Sequence, residues 1–216
     1  MSLNKELKTL QKEVLDSFSP EIREELITEN QKLFSDFLYE KVLTAGSRVP
    51  DVMFRDKNLE TVSLSKILEA GPVVLSFYRG TWCPYCNLEL LHLAGIHKQV
   101  TDRGAQLIAV SPELYRFAED TINKNHIDFP VYTDLGNHAA TKFGLVFDLP
   151  PKYREIHEKL GIYLNVLHGE DKWLLPVPAT FIISKDGVIR STYVNADYTT
   201  RMEPEDILKA LDKLSD

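Results

Sequence analysis

Both cysteines of this 216-residue chain fall in one stretch, Trp82-Cys83-Pro84-Tyr85-Cys86, and their setting constrains the fold more than any other feature. A short apolar run, Pro72 to Tyr78, leads into the stretch, and a helix-like segment follows it. Two sulfurs at i and i+3 therefore sit where a buried strand passes into a helix. Cys83 falls at the N-cap. Pro84 takes the first helical position, where its fixed φ is pre-organised and its missing N–H is not needed. Unpaired backbone N–H groups and the positive end of the helix dipole favour a thiolate there. That is a standard way to lower a cysteine pKa and make a nucleophile at neutral pH.

Three readings of the pair compete. Free cysteines pack as small hydrophobes, so both could be plain core residues. Zinc needs four ligands in a closed site. The nearest histidines, His92 and His97, lie on the same helix and do not extend the cysteine face. Helix spacing brings the two sulfurs onto one face, within reach of a disulfide after small adjustment. Neither cysteine has any other partner in the chain, and reversible dithiol chemistry is the reading that C-x-x-C favours.

The bulk numbers exclude several classes. A net charge of −7 leaves no basic surplus for neutralising phosphates, so a nucleic-acid binder is not expected. No apolar run reaches the roughly 18 residues of a membrane span, and the N-terminus lacks the uninterrupted apolar core of a secretory signal. Two cysteines in one C-x-x-C are not the framework of a secreted disulfide domain. A cytoplasmic location without membrane association is the expectation.

Leu7, Leu10, Val14, Leu15 and Phe18 follow helical spacing over residues 3–18. Ser19 and Pro20 then start a second helix, expected to run to about Val42. Residues 1–45 are thus a helical extension whose apolar faces need cover, from the main domain or from a second subunit. A homodimer is the expectation. Residues 46–216 alternate between strands and helices. Strands are expected at 61–63, 73–78, 106–110, 131–132, 145–147, 180–184 and 188–194, and helices at 84–102, 113–125, 138–143 and 204–214. Val73–Tyr78 and Gln106–Val110 flank a helix and should be parallel with a right-handed crossover. Asp186-Gly187 between apolar runs signals a hairpin. The fold class is α/β, a mixed central sheet sandwiched by helices. Residues 149–176 show weak periodicity and are expected to form an excursion from the core. Trp173 within it is a lid candidate outweighed by a peripheral-loop reading.

This arrangement resembles the thioredoxin fold, and more narrowly the peroxiredoxin superfamily, the alkyl hydroperoxide reductase / thiol-specific antioxidant group. The resemblance rests on Gly46 to Asp51, Val73 to Asn87, Gly104 to Glu113 and Pro176 to Gly187, and spans about residues 46–212. The chain also departs from the family pattern P-x-x-x-[T/S]-x-x-C. Counted back from Cys86, that pattern puts Cys83 at the hydroxyl position and Arg79 at the proline. Counted back from Cys83, it puts Gly80 and Ser76 there. Thr81 fits neither register. The chain therefore resembles the peroxiredoxin-like subgroup with a thioredoxin-type C-x-x-C. In that comparison Cys86 aligns with the peroxidatic cysteine and Cys83 with the attacking cysteine of thioredoxin, so the two analogies choose different nucleophiles.

The resemblance implies catalytic roles for Cys83 and Cys86, peroxide as substrate, a thioredoxin-like or other dithiol reductant, and no organic cofactor. It also implies that Pro178, before the Ala179-Thr180-Phe181 strand start, is cis and packs on the dithiol. Among supporting residues, Arg79 stands at the C-terminal edge of a buried strand, where α/β proteins place their sites. A guanidinium there would stabilise a thiolate or a polarised peroxide oxygen. Trp82 is expected to shield the dithiol and form part of the partner-docking surface, Thr81 and Pro84 are counted as site-supporting, and Cys83 is expected to be the lower-pKa, more exposed thiol. Arg201, after the last strand, is expected to be a solvated charge. The alternatives are a thioredoxin-like protein disulfide oxidoreductase and a non-enzymatic redox-sensing or metal-binding module.

Overall fold

The computed structural model describes residues 2–214. The chain begins with two helices, α1 (Leu3–Asp16) and α2 (Pro20–Asp36). Ser19 caps α2 by accepting the Ile22 N–H at 3.4 Å, with Pro20 in the first helical position. The helix stops at Asp36, six residues short of the expected end. Phe37 turns extended (φ −69°, ψ 127°) and buries its ring near Val177 and Ala196. A single 3₁₀ turn follows, from which the Tyr39 hydroxyl accepts the Ala196 N–H at 2.8 Å. Tertiary contacts of two aromatic rings here override a helical pattern.

The remaining elements run in the order β1 (Met53–Arg55), β2 (Thr61–Ser63), α3 (Leu64–Leu68), β3 (Val73–Phe77), α4 (Pro84–Asp102), β4 (Gln106–Ser111), α5 (Tyr115–Lys124), β5 (Val131–Thr133), α6 (His138–Lys142), β6 (Val146–Asp148), α7 (Pro151–Lys159), α8 (Leu164–His168), β7 (Leu174–Pro176), β8 (Ala179–Ile183), β9 (Ile189–Val194) and α9 (Pro204–Asp212). Seven strands form one mixed sheet in the order β2-β1-β5-β4-β3-β8-β9, while β6 and β7 form a separate ribbon. β3 lies between β4, parallel, and β8, antiparallel, with Leu75 opposite both Ile108 and Phe181. Every residue of β3 is buried, as a central strand covered on both faces requires. The β8–β9 hairpin turns through Gly187, whose φ of 78° an L side chain rarely adopts.

Alternate residues of the central strands face two cores. Val74, Leu107 and Ile182 pack with Leu90, Leu93 and Ile207 on the side of α4 and α9. Leu75, Phe77 and Phe181 pack with Leu64 and Phe143 on the side of α3 and α6. α1 lies against α4, burying Leu3 and Leu7, and α2 lies against α7. Part of the apolar surface of α1 and α2 is thus covered within the chain, with Leu3, Leu7, Leu26 and Leu33 buried.

Two further expectations change. Residues 149–176 are not a peripheral excursion: they carry β6's last turn into α7, α8 and β7, and α7 packs over the C-x-x-C stretch. The inward face of α7 is built from Tyr153, Ile156 and His157, of which the tyrosine and the histidine hide a helical stripe from a hydrophobicity pattern. Pro178 is buried but not cis, since the described backbone holds no cis peptide bond. The chain passes extended from β7 through Val177, whose N–H meets the Leu145 carbonyl at 2.9 Å, straight into β8. A trans bond carries that direction. Among the described residues, no helix is long and apolar enough to cross a membrane.

Candidate active site

β3 delivers Arg79 and the loop Gly80–Cys83 to the sheet's C-terminal edge, and α4 begins there. Cys83 caps α4 with extended φ/ψ, and Pro84 occupies the first turn, exposed to the cleft described below. The Cys86 and Asn87 N–H groups both meet the Cys83 carbonyl at 3.1 Å. Thr81 fixes the loop from the opposite side. Its N–H and hydroxyl both donate to Glu113 Oε2, at 2.9 and 2.7 Å, while its carbonyl accepts from the Asn87 amide at 2.7 Å. Its hydroxyl is thereby committed to a carboxylate and is not offered to the sulfurs.

Both cysteines are free thiols and both are buried, Cys83 being only 1% exposed. Cys83 is the more exposed of the pair by a trace only, because Trp82 and His157 of α7 pack together beside it. Cys83 nevertheless faces a cleft of about 450 Å³ bounded by α1, α2 and α7, which Cys86 does not line.

Two guanidinium groups converge on the sulfurs. Arg201, expected at the surface, is 1% exposed, and its Nη2 donates to Cys86 Sγ at 3.1 Å. It is held in place by Glu89, which pairs with its Nε, and by the Tyr198 and Thr200 carbonyls. Ser76 on β3 donates to the other Glu89 oxygen at 3.2 Å. Asn4 on α1 clamps the Arg201 backbone, accepting its N–H at 3.0 Å and donating to its carbonyl at 2.7 Å. Arg79 is also buried, its guanidinium carbon 4.8 Å from the Trp82 ring centroid and 4.1 Å from that of Tyr198. Its Nη2 lies 3.4 Å from His157 Nε2.

The charges sort themselves by these contacts. Burial pushes the Cys83 thiol up. A hydrogen bond from the Cys86 thiol, then the charges of Arg79 and Arg201, outweigh this and bring it down to about 6. Burial, the donated hydrogen bond and the adjacent Cys83 charge hold Cys86 well above its ordinary value. Arg201 contacts Cys86, yet the charge rests on Cys83. The Arg201 N–H reaches the Cys86 sulfur, and its charge acts on Cys83 from there, a relay by which one thiolate is supported. His157 is driven down to about 3 by burial and then by Arg79. It is neutral, with Nδ1 donating to the Tyr153 carbonyl at 3.0 Å and Nε2 left to accept from Arg79.

The structure thus brings Arg79, Thr81, Trp82, Pro84, Cys83 and Cys86 together. Arg201, Glu89, His157 and Tyr198 complete the arrangement and were not anticipated there. Glu89 had a legible signal: it sits one helical turn beyond Cys86 on the buried face of α4, where a carboxylate demands a cation. His157 had none, because α7 itself was not apparent.

A family model described as the AhpC/TSA family matches residues 45–192. The chain belongs to the AhpC/TSA family. Among curated relatives, the thiol-disulfide oxidoreductase ResA of Halalkalibacterium halodurans is 28% identical over 116 residues, 52% of this chain and 64% of that protein. The chain thus spans just under two thirds of that relative's length. Among solved structures, the peroxidoxin BcpB of Mycobacterium tuberculosis aligns with a TM-score of 0.62 at 22% identity, covering 80% of this chain and 98% of that one. Reduced Prx3 of Vibrio vulnificus in complex with hydrogen peroxide aligns with a TM-score of 0.64 at 16% identity, covering 81% and 99%. These likenesses establish the shared thioredoxin-type fold. The matched family segment leaves out α1, α2, Tyr198 and Arg201.

Proposed function

We propose that this member of the family is a thiol peroxidase that reduces hydroperoxides through the Cys83–Cys86 dithiol. The observation that carries the reading is a buried dithiol flanked by two buried arginines, with Cys83 facing a cleft. Positive groups fixed in a water-poor site stabilise the charge that develops as an O–O bond breaks. The Cys83 thiolate attacks the nearer peroxide oxygen, the O–O bond breaks, and the departing alkoxide or hydroxide takes up a proton. Cys83 is left as a sulfenic acid. The Cys86 sulfur then attacks the Cys83 sulfur, water leaves, and the disulfide forms. A thioredoxin-like or other dithiol reductant restores the pair by exchange, and a reducing compartment such as the cytoplasm suits that cycle. Arg201 touches a reacting sulfur, and Arg79 acts on Cys83 through its charge. Glu89, Asn4 and His157 act through them as positioning residues.

A second reading, disulfide exchange with protein substrates, is favoured by the engagement of the Thr81 hydroxyl with Glu113 and by the ResA relative. The burial of Cys83, 1% exposed at a cleft walled by α1, α2 and α7, argues against it. Stopped-flow mixing with hydrogen peroxide and with cumene hydroperoxide, followed by tryptophan fluorescence, is to be run beside insulin reduction. Fast oxidation with negligible insulin reduction is expected. Rapid insulin reduction with a peroxide reaction no faster than that of free thiol would reverse the assignment.

A further inference from the structure

The dithiol site becomes electrically unbalanced when its sulfurs join. Arg201 faces Glu89. Among the described residues Arg79 pairs with no carboxylate: its guanidinium lies between two aromatic rings, its Nη2 meets a neutral histidine, and its Nε has no hydrogen-bond partner. An arginine does not shed its proton, and a buried charge without a counter-ion is costly. In the reduced protein the Cys83 thiolate supplies that counter-ion. Two-electron oxidation converts one thiolate and one thiol to a disulfide, with the electrons passing to the oxidant and the Cys86 proton released. Both sulfurs are then neutral, and Arg79 stands unpaired at the floor of the cleft.

We propose that the oxidised protein, and not the reduced one, binds a monocarboxylate carrying a hydrocarbon body. The carboxylate replaces the lost thiolate charge at Arg79. The hydrocarbon lies along Val14, Leu15, Phe18, Leu26 and Phe34, the α1–α2 wall of the cleft. A compact oxyanion would leave those walls wet, and an uncharged hydrocarbon would leave the guanidinium unpaired. The single charge of Arg79, the unpaired cation among the described residues of the cleft, fits one negative charge. The wall is formed by the segment that the family match leaves out, so this binding belongs to the extension and not to the shared fold. The proposal rests on the dithiol forming a disulfide but not on peroxide being the oxidant.

Isothermal titration with decanoate tests it, on protein reduced with a phosphine and on protein oxidised with diamide, with decanol as the uncharged control. Oxidised protein should bind decanoate about tenfold or more tightly than reduced protein, the size of one charge-assisted hydrogen bond. Decanol should show no such difference. The double variant Cys83→Ser/Cys86→Ser, which lacks the thiolate without oxidation, should bind decanoate like the oxidised protein under either condition. Arg79→Gln should bring decanoate to the decanol level, and the double variant carries the test should Arg79→Gln not fold. By reciprocity, saturating decanoate should lower the midpoint potential of the pair by about 30 mV for each tenfold of preference. Equal affinity in both redox states, or a double variant that behaves like reduced protein, overturns the proposal alone. Failure of diamide to remove two hydrogens from the intact mass overturns the dithiol reading with it.

Discussion

Arg201 and Glu89 act on the same sulfurs with opposite sign, which makes them separable by one measurement. Arg201→Gln removes a positive group from the relay, so the thiol pKa should rise and the pH profile of iodoacetamide alkylation should move up from about 6. Glu89→Gln leaves the guanidinium uncompensated, so the profile should move down, while the protein loses about 3–5 kcal/mol as half of a buried ion pair is removed. Profiles that move in the same direction would refute the relay. Arg79→Ala should also raise the profile, and Arg79→Lys should restore the pKa better than the peroxide rate, because an ammonium supplies charge without the fork. At this scale the sequence was legible only where chemistry and spacing coincide. Cys83, Cys86 and Arg79 follow from a strand running into a helix. Arg201 did not, because a residue seven positions beyond β9 has no local feature that turns it inward. Its position depends on Asn4, Glu89 and Tyr198, which lie in three separate parts of the chain.

At the scale of elements, α1 is a brace for the site as much as a cover for α4. Asn4→Ala removes both side-chain contacts to the Arg201 backbone and should slow oxidation by peroxide by about two- to tenfold while barely moving the alkylation midpoint of a denatured control. Leu7→Ala should cost about 2–5 kcal/mol in denaturant melts, the usual range for emptying a buried leucine site. A Leu7→Ala protein of unchanged stability would mean that α1 does not rest on α4. Helix α4 was legible to its bounds because its start is marked by Pro84 and its buried face is apolar from Leu90 to Val100. The hairpin at Gly187 was legible from the turn residues alone. β1 and α3 passed unnoticed, although β2 and α6, of the same lengths, were legible. α7 passed unnoticed because a face made of tyrosine and histidine does not register as apolar.

For the whole molecule, redox state and pH stability are linked. The Cys83 thiol lies at about 6 in the folded protein against about 8.5 in an unfolded chain. Between those values the unfolded state holds more protons, so reduced protein should gain stability as pH rises through that window and lose it as pH falls toward 6. Oxidised protein lacks the group. The melting temperature of the reduced form relative to the oxidised form should therefore climb between pH 6 and 8.5, measured by calorimetry; a constant difference would place the thiol at its ordinary value. His157, driven down to about 3, adds the same sign of dependence below pH 6.5 in both forms and cancels from the comparison. One long-range bond has a consequence of another kind. The N–H groups of Leu3 and Asn4 at the start of α1 donate to the carboxylate of Glu203, 200 and 199 residues further along. A ribosome adding about 5–20 residues each second needs roughly 10–40 s to cover that interval. Throughout it the first helix has no cap, its leucines have no seat, and the nascent cysteines wait without Arg201. The chain completes its reactive centre only once Arg201 and Glu203 have been made.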